Sequence, residues 1–242
     1  MRKIVAIHQP NFLPWLGYFD KLARADVFVF LDNVPLQRTG GSYTNRVEMI
    51  ISGRRSWVTV PISRQAEERE RIGDARIIEN GRWRRKVKTA VEQSYAGAPY
   101  FKEMMPIVAE ILDDREDHLA AFNMAAIARL NRLLSLDGRP VLKASALDVS
   151  GSGTDLLVSI IRAVGGTGYL CGGGAGGYQE DEKFTRAGLT LEYQNFRHPA
   201  YQQASTSEFC AGLSIVDALM NCGVDGTTRL LSSPRTVAEK AS

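Results

Sequence analysis

Residues 4–7, Ile-Val-Ala-Ile, form an unbroken apolar run, and within residues 26–31 a second one, Val27-Phe28-Val29-Phe30-Leu31, follows Asp26. Short continuous apolar runs closed by turn signals predict strands buried on both faces. Between them, residues 16–25 carry apolar positions at helical spacing and predict an amphipathic helix. Pro10 and Pro14 fix φ and remove two amide donors, so residues 9–15 continue neither element. The opening is therefore a βαβ unit, with His8 and Asp32 at the carboxyl ends of its two strands.

The pattern then changes. Residues 45–51 and 56–61 predict a hairpin around 52–55, and 64–71 a charged exposed loop. A short strand is predicted over 72–78. Helical spacing follows over 81–94, over 98–112 with Pro99 in its first turn, and over 119–136. Three helices in succession read as an insertion or cap over 81–136. Strands return at 141–145, 168–171 and 189–193, and helices at 155–164, 180–187 and 213–220. Gly223 is placed to stop the last helix in the left-handed conformation. Before the 155–164 helix, the Ser/Gly/Thr loop 150–154 either caps it through Thr154, the weightier reading, or receives a phosphate. The glycines of 172–177 let backbone approach a ligand. The expected architecture is one α/β domain over 1–230, with a mostly parallel, Rossmann-like sheet, a β-hairpin and the helical insertion, followed by a flexible tail over 231–242.

Composition narrows the class. A chain of 242 residues with 44% hydrophobic and 24% charged residues has room for a sizeable core. A net charge of +3 argues against a dedicated nucleic-acid binder. The local run Arg82-Trp83-Arg84-Arg85-Lys86, with Lys88, is either a solvated helix start or a site for an anionic group. No signal peptide is read, since Met1-Arg2-Lys3 leads straight into a strand, and no membrane span, since no run approaches the roughly 18 apolar residues that crossing requires. Three cysteines, an odd number without metal-type spacing, fit a reducing cytoplasm. With three histidines and no C-x-x-C, no metal site is expected.

His8 and His198 are the candidate proton acceptors near neutral pH, with Asp32 or Asp217 to orient them. Cys222 is a less favoured nucleophile, because a helix carboxyl end does not lower a thiol pKa. Asn45 and Arg46 start the hairpin near the end of the second strand; Arg46 either clamps an anion or pairs with Asp32. Tyr18, Tyr178 and Tyr201 suit sugar faces or nucleobases but are also ordinary packing residues, and Gln202 and Asn221 complete the candidate binding set. The sharpest expectation is that His8, Asp32, Asn45, Arg46, His198 and Asp217 share one pocket at the carboxyl edge of the sheet.

The string HQPNFLPWLGYFDKLARADVFVFLDNV resembles the opening of the WbqC-like family of bacterial proteins. The resemblance continues through Asn45-Arg46, Trp83, residues 169–178, FRHPAYQQ and LSIVDALMNCG, from about Ile4 to Gly223. It implies a place in O-antigen or other surface-polysaccharide pathways. It also implies transfer of an acyl or aminoacyl group, glycyl among them, to an amino sugar, nucleotide sugar or other amine from a nucleotide-linked or otherwise activated donor. Such a transfer needs a base for the amine proton and donors for the developing oxyanion. His8 or His198 would be the base, and Asn45, Arg46 and Asn221 the donors. A non-catalytic binding or assembly protein of a polysaccharide or secondary-metabolite pathway is the alternative. A third reading comes from the first βαβ unit, which resembles nucleotidyltransferase-like proteins. Where that class carries His-x-Gly-His, this chain has Pro14-Trp15-Leu16-Gly17-Tyr18, with both histidines missing.

Overall fold

The computed structural model describes residues 1–37, 42–63, 70–80, 82–172 and 180–232. Its strands are β1 (Ile4–His8), β2 (Val27–Phe30), β3 (Arg46–Ile51), β4 (Arg54–Thr59), β5 (Val141–Lys143), β6 (Gly168–Cys171) and β7 (Thr190–Tyr193). Its α-helices are α1 (Leu16–Arg24), α2 (Arg82–Tyr95), α3 (Phe101–Asp113), α4 (Leu119–Leu133), α5 (Gly153–Ala163), α6 (Asp181–Arg186) and α7 (Ile215–Ser232).

Five strands form one sheet in the order β5-β2-β1-β6-β7, every neighbouring pair parallel, and β3 and β4 form a separate antiparallel hairpin. The α/β, Rossmann-like expectation holds, with a wholly parallel main sheet. The continuous apolar runs have a plain cause: the sheet separates two cores. Ile4, Ala6, Phe28, Phe30 and Leu170 face a large core with α1, α4 and α7. Val5, Ile7, Val27, Val29, Tyr169 and Cys171 face a second core with α5 and Phe184 of α6. Alternate side chains point to opposite faces, so a strand covered on both sides is apolar at every position.

The chain runs outward from β1 to β2 and β5, then returns to place β6 on the other side of β1. The carboxyl ends of β1 and β6 therefore flank the point where the winding reverses, the usual ligand crevice of open α/β sheets. Between the adjacent strands β2 and β5 lie the hairpin and α2, α3 and α4, with α3 packed on α2 and on α7.

Several local expectations are corrected. The hairpin turn is only Ser52-Gly53, both at positive φ (52° and 73°), because a two-residue turn of that kind matches the strand twist. Residues 72–78 do not form a strand: Ile72–Asp74 is a 3₁₀ turn whose Ile72 and Gly73 amides bond to the Val34 and Asp32 carbonyls, at 3.0 and 2.8 Å. The second insertion helix begins at Phe101, so Pro99 precedes it. Gly223 does stop a helix at positive φ, as expected, but a second helical segment follows it directly, so α7 is two helices meeting at a kink with φ 68° and ψ −175°; a Cβ there would stand 2.6 Å from the Tyr100 ring. The basic run is mostly a solvated helix start, but Arg84 is buried. It donates to Glu79 and to the last-turn carbonyl of Leu112, each at 2.7 Å, tethering α2 to α3. The expected exposed loop over 64–71, the glycine run, Tyr178 and the tail fall largely or wholly outside the described residues. No described helix is long and apolar enough to cross a membrane.

Candidate functional site

The loop between β1 and α1 is held from outside itself. With two prolines it has few amides to spend internally, so its carbonyls take donors from distant elements. Asn123 of α4 donates to Pro10 O at 2.8 Å and to Thr44 O at 2.7 Å. Ser214 Oγ donates to Leu13 O at 2.7 Å, and the Ile215 amide to Pro14 O at 2.8 Å. The Phe12 amide donates to Tyr43 O at 3.0 Å. These bonds hold Leu13 at a φ of 38°, a conformation rare outside glycine.

This fixed loop places His8 and Gln9 in the lining of a cavity of about 400 Å³. Its walls are Ile7, Leu31, Val34, Leu156, Leu157 and Tyr169, with Lys21, Gln37, Gly153, Thr154 and Gly172 completing the lining. It occupies the switch point between β1 and β6, and its size suits a small molecule.

Lys21 defines the chemistry of this cavity. It lies on α1, is 2% exposed, and donates to Ile7 O at 2.8 Å. Its ammonium is also 5.6 Å from the centre of the Tyr169 ring, a cation–π contact. Pairing of β1 with β6 ends at Ala6–Leu170. The His8 carbonyl faces β2, where it accepts from the Leu31 amide at 2.8 Å, so the Ile7 carbonyl faces the β6 side. Lys21 supplies the donor that the departing β6 no longer offers. In doing so it reaches from the α1 face of the sheet to Tyr169 on the other. Burial lowers its pKa from 10.5 to about 8, against a small opposing effect of Cys171.

His8 Nδ1 lies 3.2 Å from Gln9 O, a carbonyl, so Nδ1 carries the proton and Nε2 is the acceptor. Tyr18 donates to the same carbonyl at 3.0 Å and supports the imidazole at a ring separation of 4.7 Å. Burial first, and the Lys21 charge second, lower His8 from 6.5 to about 3, while the Gln9 carbonyl acts in the opposite direction. His8 is therefore neutral at ordinary pH. It can accept a hydrogen bond but is a weak proton carrier.

Of the six residues expected to share one pocket, His8 is the one that lines this cavity. Asp32 instead accepts from the Ser145 amide (2.9 Å) and hydroxyl (2.6 Å), fastening the ends of β2 and β5 together. Asn45 donates to Val60 O at 3.2 Å and closes the hairpin; Arg46 lies over the Trp57 ring at 4.1 Å. The neighbouring Thr44 Oγ1 still reaches Gln9 Oε1, at 3.3 Å, so the hairpin does return to the edge of the cavity. His198 sits among Trp15, Phe196 and Phe209, with both ring nitrogens buried and no hydrogen-bond partner among the described residues. Burial lowers it to about 4.

Asp217 belongs to a separate buried centre. It accepts from Tyr95 OH at 2.9 Å, Tyr201 OH at 2.6 Å and Gln203 Nε2 at 2.7 Å. Burial raises its pKa and those three donors oppose the rise. Asn221 donates to Asp217 O and accepts from the Ala204 amide, both at 2.8 Å, while Gln202 is exposed. Burial, then the nearby Asp217 charge, raises the Cys222 pKa, the direction opposite to thiolate activation. Among the described residues one group could offer three metal ligands, Glu116, Asp117 and His118, a partly exposed cluster remote in sequence from the cavity residues.

Sequence reasoning missed Lys21, Gln9 and Tyr169, and weighted Thr154 toward capping. In fact the N-cap of α5 is Ser152, which makes no side-chain capping bond, and Thr154 Oγ1 accepts from the Glu180 amide at 3.1 Å. The signal for Lys21 was present. It shares a helix stripe with Gly17, Tyr18 and Ala25, all buried, so it falls on the apolar side of α1.

The profile of the WbqC-like protein family matches residues 9–229. The uncharacterized protein Rv1507c of Mycobacterium tuberculosis (strain ATCC 25618 / H37Rv) is similar to this chain. The two are 28% identical over 229 residues, 92% of this chain and 95% of that protein. No solved structure matches. The match begins at Gln9 in the loop that builds the cavity and ends within α7, and the chain belongs to the WbqC-like protein family.

Proposed function

We propose that this protein is a group-transfer enzyme that moves an acyl or aminoacyl group, glycyl among them, onto the amine of an amino sugar or another small amine. The switch-point cavity is where the reaction takes place. The observation that carries the reading is Lys21: a buried lysine held near pKa 8, lining a cavity of small-molecule size.

In such a reaction a C–N bond forms and the bond from the carbonyl carbon to its leaving group breaks. Negative charge gathers on the carbonyl oxygen and then on the leaving group, and the amine gives up a proton. Lys21 near 8 exists in both protonation states at physiological pH. As ammonium it stabilises the oxyanion or protonates the leaving group; as amine it takes the proton. Neutral His8 accepts a hydrogen bond from the attacking amine through Nε2 and orients it. The role of base thus passes from the histidines to Lys21.

The test incubates purified protein with a panel of amino sugars, free and nucleotide-linked, and activated glycyl donors, and reads product masses. An N-acylated product that Lys21→Met abolishes supports the reading. No product from any amine overturns it. The low basicity of His8 favours a second reading, a binding protein without turnover. That reading predicts saturable ligand binding, no product, and a cellular role that survives Lys21→Arg.

A further inference from the structure

Two cations are buried among the described residues, Arg84 at 3% exposure and Lys21 at 2%. Arg84 has a carboxylate partner, Glu79, and two carbonyls. Lys21 has one carbonyl and, among the described residues, no carboxylate. A buried charge is normally paired, because leaving water without a counter-charge costs several kcal/mol, on the order of the penalty for one desolvated ion. The cavity does not supply the missing charge either: none of its described lining residues is acidic. A second positive source stands in the same wall. Helix α5 begins there at Gly153 and Thr154, and its N-cap Ser152 makes no capping bond. First-turn amides and the helix dipole favour an anion at that place. The rest of the wall is largely apolar, through Leu31, Leu156 and Leu157.

We propose that the cavity binds a small molecule by one anionic group, a phosphate or a carboxylate, held between Lys21 and the first turn of α5. The apolar body of the ligand lies against Leu31, Leu156 and Leu157. The inference rests on the proposed reading in taking the switch-point cavity as the substrate site, and it adds the chemical class of what enters: an acid or phosphoric ester, not a neutral sugar. The ligand then supplies the counter-charge that the fold withholds.

Titration calorimetry on the intact protein tests this, with phenyl phosphate and benzoate as separate probes. At least one probe is expected to saturate below about 10 mM. Preference for phenyl phosphate assigns a phosphate group, and preference for benzoate a carboxylate. Lys21→Met is expected to weaken the better probe by about tenfold or more. A measurement on the unmodified protein guards against a misfolded variant. At pH 8, where part of Lys21 is neutral, binding should draw a proton from the buffer, and affinity should fall as pH rises further. No saturation by either probe overturns the inference, as does binding that is independent of pH and unchanged in a folded Lys21→Met. Anion binding at Lys21 without acyl transfer leaves this inference standing and overturns the reaction. Acyl transfer without such binding does the reverse.

Discussion

Lys21 and Asp217 are both buried ionisable residues on helices, and both belong to the stretches matched by the family profile. Their surroundings differ in one respect. Asp217 receives three side-chain donors, from Tyr95, Tyr201 and Gln203, which join α2, the 194–214 segment and α7 around it. Lys21 receives one carbonyl and faces a cavity. The fold completes the first group and leaves the second incomplete. A satisfied buried charge organises structure, whereas an unsatisfied one beside a cavity awaits a ligand.

The largest expected effect comes from breaking the completed centre. Asp217→Ala leaves two tyrosine hydroxyls and an amide buried without their acceptor, and should cost about 3–5 kcal/mol in chemical denaturation. Asp217→Asn keeps an acceptor and should cost clearly less. If Asp217→Ala unfolds at the wild-type midpoint, Asp217 is not the structural node described here.

The incomplete centre should respond in the opposite way. Lys21→Met removes an uncompensated cation and forfeits one hydrogen bond, so stability should change by less than about 1 kcal/mol. Transfer activity, once its substrates are found, should fall about 10²-fold in kcat/KM. A strongly destabilised Lys21→Met that retains activity would reverse the comparison.

Titration sharpens the contrast. His8 and His198 sit at about 3 and about 4 in the fold against 6.5 ordinarily. The unfolded chain therefore binds more protons across that interval. Stability is full above 6.5 and lost as pH falls through 4 toward 3. His8→Gln should flatten that loss in thermal melts, and a slope identical to wild type would exclude His8 as its source. Lys21, at about 8 against 10.5, has the same sign in another window. In buffer free of phosphate and carboxylate, stability relative to Lys21→Met should rise from pH 8 to 10.5.

The smallest effect is expected at Cys222, whose thiol burial keeps protonated. Cys222→Ser should alter kcat/KM by less than about twofold, as measured in the same mass assay. A larger loss would return the thiol to the reaction and move the site toward Asp217.

The chain's own pattern was enough to place β1, α1, β2, β6 and β7. Burial on both faces of a parallel sheet writes the continuous apolar runs of β1 and β2, a local signal that needs no knowledge of partners. The motif around Pro10 and Pro14 was legible as special, and His8 as a residue at the sheet edge. Tertiary structure decided what these residues do. Asp32 looked like a partner for His8 because both end adjacent strands, but the chain returns 113 residues later to offer it Ser145. Asp217 looked like an orienting partner for a histidine because it flanks an apolar helix face, yet Tyr95 arrives from the insertion to satisfy it. Lys21 was not singled out from the sequence, although its helix period put it on the apolar side of α1; it became the cation of the cavity because β1 and β6 part beside it. A residue's type and period reveal whether it is buried. Whether a buried charge is balanced depends on donors and acceptors brought together from far along the chain, and that sum exists only once the chain is folded.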